Sequence, residues 1–438
     1  MRAITIIPIV LIIGTITALS LNCGSNSDET QSTKEGAPPQ EITTPEPTRT
    51  HPEDIQTTFS TSGGSLRMLT KEGVVSANPV WGPDNSRIFY EQSGWICSVS
   101  AEGGEITRLA EGYAPMVTPD GTELRFLRLG NPVTGNYPNL VRGLKAMAMG
   151  LDGTDVRTLA NLENVTVSPY IEANGYQEYG KWSPDSWQVA LFIDAPGMRL
   201  ALWNVQDNLL TTIGGLRPVH YPSWSPDCEE LAVAGTLDAE CDSAGACRPD
   251  LWIIDADTGK FHRITSTDSI NEDLPVWSPD GLKLTFVQRA SDDANFMFSG
   301  AASSIWTMNP DGSETKLLVY RYQPPGGSLR QGQLAWNSTG SAVTLVTWGL
   351  KAEGDGDIRL SESIWNIGGD TANSWEHLLD ATCCMGSIGG IQWSQDDSKI
   401  AFEWTPNAFS VEEKYSAIRL ADNAGMDDQR ICVLDLGG

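Results

Sequence analysis

The stretch Leu274-Pro275-Val276-Trp277-Ser278-Pro279-Asp280-Gly281, with the apolar run Leu282 to Val287 behind it, decides the fold. It reads as a strand ending on Trp, a tight Pro-Asp-Gly turn and a second strand. Pro presets φ at the first turn position, the Asp carboxylate caps the turn, and Gly accepts a positive φ. The device recurs upstream at Asn78 to Tyr90, Ala114 to Leu127, Tyr179 to Phe192 and Tyr221 to Ala234, and downstream at Leu334 to Val346 and Ile391 to Trp404. Trp stands at 81, 182, 224, 277, 336 and 393, with Val117 in its place once. Self-similarity at this period predicts a propeller, solenoid or array.

A second element follows each copy, as in Leu202-Trp203-Asn204-Val205, Leu251-Trp252-Ile253-Ile254, Ile305-Trp306-Thr307-Met308 and Ile364-Trp365-Asn366-Ile367. After most of these come a short acidic or Gly turn and one more strand. Each repeat is therefore four short antiparallel strands, and seven repeats predict an all-β, seven-bladed β-propeller. The combination of W-S-P-D-G, I-W-x-M and D-G followed by L-T resembles the WD40-like, PD-type repeat of TolB-type β-propellers, exported proteins of bacteria. The resemblance spans residues 63–438 and implies the fold; its motif residues build the blade, so they assign no activity.

The ends of the repeat region predict how the ring closes. Gln429 to Leu436 matches a third strand with nothing left for a fourth, while Gly64 to Thr70 matches a fourth strand with no blade of its own. Residues 65–70 are expected to complete the last blade, which removes its open edge. The alternative takes Ala417 to Ala421 as the third strand and 429–436 as the fourth.

Upstream, Arg2 and the apolar Ile4 to Ile16 read as a secretion signal over residues 1–22. Ser20-Leu21-Asn22-Cys23 resembles a bacterial lipobox, which implies lipidation of Cys23; cleavage after Ser20 would instead release a free protein. Residues 23–62, rich in Ser, Thr, Pro, Glu and Gln, are expected to be a disordered tether. The chain is thus expected to be exported to the cell envelope, a monomer held on the membrane only through a lipid. With 29 Lys+Arg against 56 Asp+Glu, its formal charge of −27 argues against nucleic acid and anionic lipid surfaces.

Ten Trp occupy the repeated turn and third-strand positions and are expected to pack between blades. The repeated Asp residues at 84, 120, 185, 227, 280 and 396 are expected to cap turns rather than bind metal. The four His (51, 220, 262, 377) show no ligand spacing, so neither metal nor cofactor is expected. There is no G-x-S-x-G elbow, no α/β domain beside the repeats, and no spaced Asp box of the sialidase kind. Cys97 and Cys432, at equivalent third-strand positions, are expected to pack as small hydrophobes. Cys241 and Cys247 share one loop and are expected to pair in an oxidising compartment.

The variable loops between second and third strands and between blades fall on one face of the disc, where function is expected. The binding candidates there are Tyr137, Tyr170, Tyr176, His220, Phe296, Phe298, Tyr320, Arg321, Tyr322, Trp348 and Trp404. The expected function is a non-catalytic, surface-tethered scaffold holding a protein or glycan of the cell envelope. The alternative is an extracytoplasmic carbohydrate-active enzyme, lyase or glycosidase, with acidic residues on that face.

Overall fold

The computed structural model describes residues 58–61, 64–71, 74–133, 139–171, 177–195, 197–218, 222–240, 248–267, 270–290, 303–319, 328–352, 358–368, 375–383, 387–405, 409–411, 418–420 and 430–436. Cys23, Tyr137, Tyr176, His220, Cys241, Cys247, Phe296, Phe298, Tyr320, Arg321 and Tyr322 lie outside them, as do the side chains of Tyr170 and Trp348.

All the regular structure described is strand. Thr58–Thr61 (β1) and Ser65–Met68 (β2) come first, and each joins a sheet formed much later in the chain. Ser76–Trp81 (β3), Arg87–Gln92 (β4), Trp95–Ser100 (β5) and Thr107–Glu111 (β6) form one antiparallel sheet in chain order. Tyr113–Val117 (β7), Glu123–Pro132 (β8), Val141–Gly150 (β9) and Arg157–Ser168 (β10) form the next, and Tyr170–Ile171 (β11) pairs with Gln177–Glu178 (β12). Lys181–Trp182 (β13), Gln188–Ala195 (β14), Gly197–Asn204 (β15) and Leu209–Thr212 (β16) follow, with the end of β10 bridging onto β14 at Val167↔Ile193.

Leu216–Pro218 (β17) and Ser223–Trp224 (β18) both pair with Glu230–Leu237 (β19), which continues into Asp250–Asp255 (β20) and Phe261–Arg263 (β21). Ile270–Trp277 (β22), Leu284–Ala290 (β23), Ser303–Met308 (β24) and Lys316–Val319 (β25) make a four-stranded sheet. Ser328–Trp336 (β26), Ala342–Ala352 (β27), Ile358–Gly368 (β28) and Trp375–Cys383 (β29) carry β1 on their outer edge. In the last sheet Ser387–Trp393 (β30) and Lys399–Thr405 (β31) precede a small hairpin of Phe409–Val411 (β32) and Ile418–Leu420 (β33). Arg430–Asp435 (β34) then pairs with β31 on one side and β2 on the other.

The β2 register, Ser65↔Asp435 to Met68↔Cys432, makes β34 a third strand rather than a fourth. Among the described residues, β33 pairs with β32 and not with the last sheet. Two expectations need correction. The tether does not reach residue 62, because Thr58–Thr61 is drawn into register with Thr382–Leu379 of β29. The stretch Trp348 to Glu362, one of the long variable loops expected between second and third strands, is largely ladder, since β27 and β28 pair without a break from Ala342↔Gly368 to Ala352↔Ile358. The β-branched and alternating residues of Ala342–Ala352 favour extended pairing beyond the packed sheet.

The core lies between sheets. Leu69, Trp81, Tyr90 and Cys97 pack with Ala401 and Val433, so the first sheet is buried against the last. Phe89 and Ile96 pack with Leu124 and Met149, and Ile305 with Val343. The second strand β4 is buried on both faces, from Ile88 to Gln92, because it has a sheet on each side. Burying a Phe such as Phe286 or Phe402 contributes ~1.5–3 kcal/mol.

The turn tryptophans add hydrogen bonds to this packing. Trp81 Nε1 donates to Gln392 O at 3.0 Å, Trp182 Nε1 to Ala114 O at 2.9 Å, Trp224 Nε1 to Lys181 O at 3.2 Å and Trp393 Nε1 to Thr344 Oγ1 at 2.8 Å. For Trp182, Trp224 and Trp393 the acceptor belongs to the preceding sheet, and for Trp81 to the last one. Cys97 and Cys432 are buried free thiols, pushed up by burial to about 11 and about 12, which makes them the inert hydrophobes expected.

Candidate functional site

The repeated turn aspartates are caps. In Asp84, Asp120, Asp185, Asp227, Asp280 and Asp396, Oδ1 accepts the backbone N–H two residues on at 3.0–3.1 Å. In five of them it also accepts the hydroxyl two residues before, at 2.5–2.7 Å. Hydroxyl hydrogen bonds first, and backbone N–H second, hold Asp84, Asp120, Asp227 and Asp280 below the usual range. The same groups bring Asp396 to about 2. In each turn the carboxylate is engaged as a cap, which is a structural role.

At the opposite ends of the inner strands the chemistry differs. Glu272, the third residue of β22, is 1 % exposed. Its backbone N–H donates to Pro249 O at 2.9 Å, and its Oε1 accepts Gln288 Nε2 at 3.1 Å. Its Oε2 is buried without a well-formed hydrogen bond among the described residues. Burial raises its pKa, Asp250 adds to the rise, and the Thr265 and Gln288 side chains oppose it.

Asp250 opens β20 and is itself buried. Its Oδ1 accepts the Thr267 N–H at 3.1 Å and its Oδ2 lies 3.5 Å from Arg263 Nη1. The Arg263 guanidinium lies 4.5 Å over the Trp252 ring and also pairs with Glu240, so it is fixed on three sides. One carboxyl is thus held against a cation while its neighbour favours the protonated form. A buried carboxyl with a raised pKa, near a second carboxyl set against a cation, is suited to divide acid and base roles with it.

A second acidic set lies on the inner strands where the chain's two ends meet. Glu403 Oε1 accepts the Asn78 N–H at 2.6 Å; Glu91 Oε1 accepts Asn78 Nδ2 at 2.8 Å and also the Ala114 N–H. Asn78 and Ala114 sit at bulges with φ of 51° and 50°, where the N–H turns out of the ladder. Gly390 is required beneath Glu403, since a Cβ there would come within 2.6 Å of its Cδ. Tyr113 and Tyr179 meet edge to face at 5.5 Å; burial first, with Glu91 adding, raises both, Tyr179 to about 12. These carboxylates bind the bulged strands of neighbouring sheets together.

Of the sequence candidates, Trp404 needs correction. It is 3 % exposed in β31 and packs with Ile388, Ile400 and Phe402, with Arg430 5.3 Å over its ring. Its place at a loop edge concealed that both faces of β31 are covered. Tyr170 and Trp348 fall on strands β11 and β27 rather than in loops. His262 stands in β21, away from any group of three metal-ligating side chains among the described residues. Glu272 and Asp250 had no motif to announce them. The available signal was Asn271-Glu272-Asp273, three polar residues opening a strand that is otherwise buried.

No family model matches the chain, and no curated protein matches it. Among solved structures, an oligogalacturonate lyase from Vibrio parahaemolyticus is similar at 13 % identity, over 88 % of this chain and 98 % of that one, with a TM-score of 0.54. The β-propeller domain of the Trilobed protease from Pyrococcus furiosus is similar at 11 % identity over 76 % and 92 %, with a TM-score of 0.47. TolB from Acinetobacter baumannii is similar at 12 % over 70 % and 63 %, with a TM-score of 0.38. The expectation of a non-catalytic scaffold is overturned by the first of these. That expectation leaned on family resemblance and on missing catalytic motifs, yet the likeness in fold extends over nearly the whole chain of an enzyme. The likeness is one of fold, and the fold of this chain is a β-propeller.

Proposed function

We propose that the chain is an extracytoplasmic carbohydrate-active enzyme that cleaves glycosidic bonds, with Glu272 as proton donor and Asp250 as its charged partner. The observation that carries this reading is the pair itself: a buried carboxyl whose pKa is raised, beside a second carboxyl held by Arg263. Glycoside hydrolysis needs one carboxyl protonated and one ionised across the scissile bond. The likeness in fold to an oligogalacturonate lyase supports a sugar substrate. The charge of −27 favours neutral glycans over polyuronates, which it would repel.

The propeller is proposed to be a closed ring of seven blades, the strands from β7 to β16 forming two of them joined at Val167↔Ile193. Support comes from β2 on β34 and from the contact of the first sheet with the last. Export, and anchorage through a lipid on Cys23, remain part of the proposal; fatty-acid labelling lost in C23S would support it.

The test is an assay of the purified chain on neutral and uronic oligosaccharides, following new reducing ends and the ultraviolet absorbance of unsaturated uronides. Cleavage of neutral glycans, lowered at least 100-fold in E272Q and in D250N, is expected, a loss of the size that removing general acid–base help produces. Full activity in E272Q would sink the assignment of Glu272. Unsaturated products would show elimination rather than hydrolysis.

A further inference from the structure

Most turn tryptophans donate their indole N–H to the preceding sheet, but Trp277 and Trp336, which flank the β22–β25 sheet, do not. The Nε1 of each is buried without a hydrogen bond. The seam beyond Trp336 can be compared position by position with the next one along. There, Trp393 Nε1 donates to Thr344 Oγ1 at 2.8 Å, and the Thr344 hydroxyl donates to Asn366 Oδ1 at 2.7 Å. One repeat earlier the same positions hold Trp336, Thr285 and Thr307.

The equivalence rests on register. Thr285 stands eight residues after Trp277, as Thr344 does after Trp336. Thr285 faces Thr307 across its ladder as Thr344 faces Asn366. Leu284 and Phe286 point back to pack with Ala232, so Thr285 points forward; Ile305 packs forward on Val343, and Thr307 shares its side of the strand. Thr285 is fully buried and Thr307 is 5 % exposed, and neither hydroxyl has a hydrogen-bond partner. Three polar atoms without partners thus converge where the next seam has a complete chain of hydrogen bonds.

The difference between the seams is the length of one side chain. Asn366 reaches Thr344 with a terminal amide, whereas Thr307 ends at its hydroxyl and leaves a gap beside Thr285. Buried polar groups are almost always satisfied, by protein or by ordered water. A water there would have one indole donor and two hydroxyls that can give or accept, a normal set of partners. We propose that a buried water sits in this seam, bound by Thr285 Oγ1, Thr307 Oγ1 and Trp336 Nε1, in the place that the Asn366 amide takes one seam later. The β22–β25 sheet is then joined to its successor through solvent, where the following pair of sheets is joined directly.

A high-resolution crystal structure of the full chain tests this. Solvent density within hydrogen-bond distance of all three atoms is expected; a dry seam, or the three groups bonded to protein, would overturn it. Two variants test it in solution. T307N supplies the amide and displaces the water, so its Tm should equal or exceed that of the parent. T307V removes one of the three partners and should lower Tm by about 2 °C, the shift of a modest loss in a large domain. T307N melting below T307V, or T307V melting with the parent, would count against the proposal.

Discussion

Glu272 carries an electrostatic cost that its neighbours only partly relieve, and the cost has a measurable sign. Its folded pKa lies above the ordinary 4.5, because burial penalises the carboxylate. The contribution that protonation makes to stability is therefore complete below pH 4.5 and is lost as pH rises through the folded value. E272Q keeps the shape and cannot ionise. Urea melts across the acid range should show parent and variant together at low pH, with the variant becoming the more stable above pH 4.5. Parallel curves would mean that folding leaves the Glu272 pKa unshifted. The turn aspartates have the opposite sign: Asp396, at about 2, stabilises the fold above 3.8, and that contribution is lost as pH falls toward 2.

At the scale of the element, the tight turns are matched to their neighbours. Where the residue after the Ser or Thr of the turn is Pro, it has no N–H to satisfy, and the facing residue of the next turn is small. Gly340 faces Pro279, and Gly121 faces Pro83 so closely that a Cβ would meet it at 2.8 Å. Where Pro is missing, the facing residue is an acceptor. Ser338 N–H donates to Asp397 at 2.6 Å, and Gln395 N–H to Asn85 at 3.1 Å. Asp397 also takes the Asn337 amide and the Thr339 hydroxyl, each at 3.0 Å. D397G should therefore cost about 0.5–1.5 kcal/mol, the net worth of a hydrogen bond whose donors water can reach. Adding S338P removes one of those donors, and the double variant should recover part of the loss in a double-mutant cycle. Strict additivity in thermal melts would refute the matching.

At the scale of the molecule, the first and last sheets are joined three times over. Trp81 reaches Gln392, Asn78 reaches Glu403, and Asn85 reaches Gln395. The strand β2 then lies on β34 while β1 lies on β29, so the N-terminal segment clasps two successive sheets. Deleting residues 64–70 should lower Tm far more than deleting 24–57, because it uncovers the edge of β34 and the buried Leu69. Deleting 58–61 alone should fall between, since β29 loses an edge partner but its sheet keeps its own four strands. Equal melting of the three truncations would remove the clasp from any account of stability.

The repeat was legible in the sequence because its signals are local. Pro279-Asp280-Gly281 and its copies state the turn, the alternation behind them states the strand, and each repeat restates both, so the four-stranded sheets and the pairing of residues 65–68 with the last sheet could be read in advance. What touches across the seams was not local. The burial of Trp404 depends on the sheet packed over it, the pairing of Thr58–Thr61 on a strand more than three hundred residues away, and the raised pKa of Glu272 on burial between elements, with Asp250 adding to it from another strand. A pattern of residues can specify an element because its period is that of the backbone. A protonation state or a seam is specified only when separate elements are brought to a few ångströms, where burial and Coulomb interactions act.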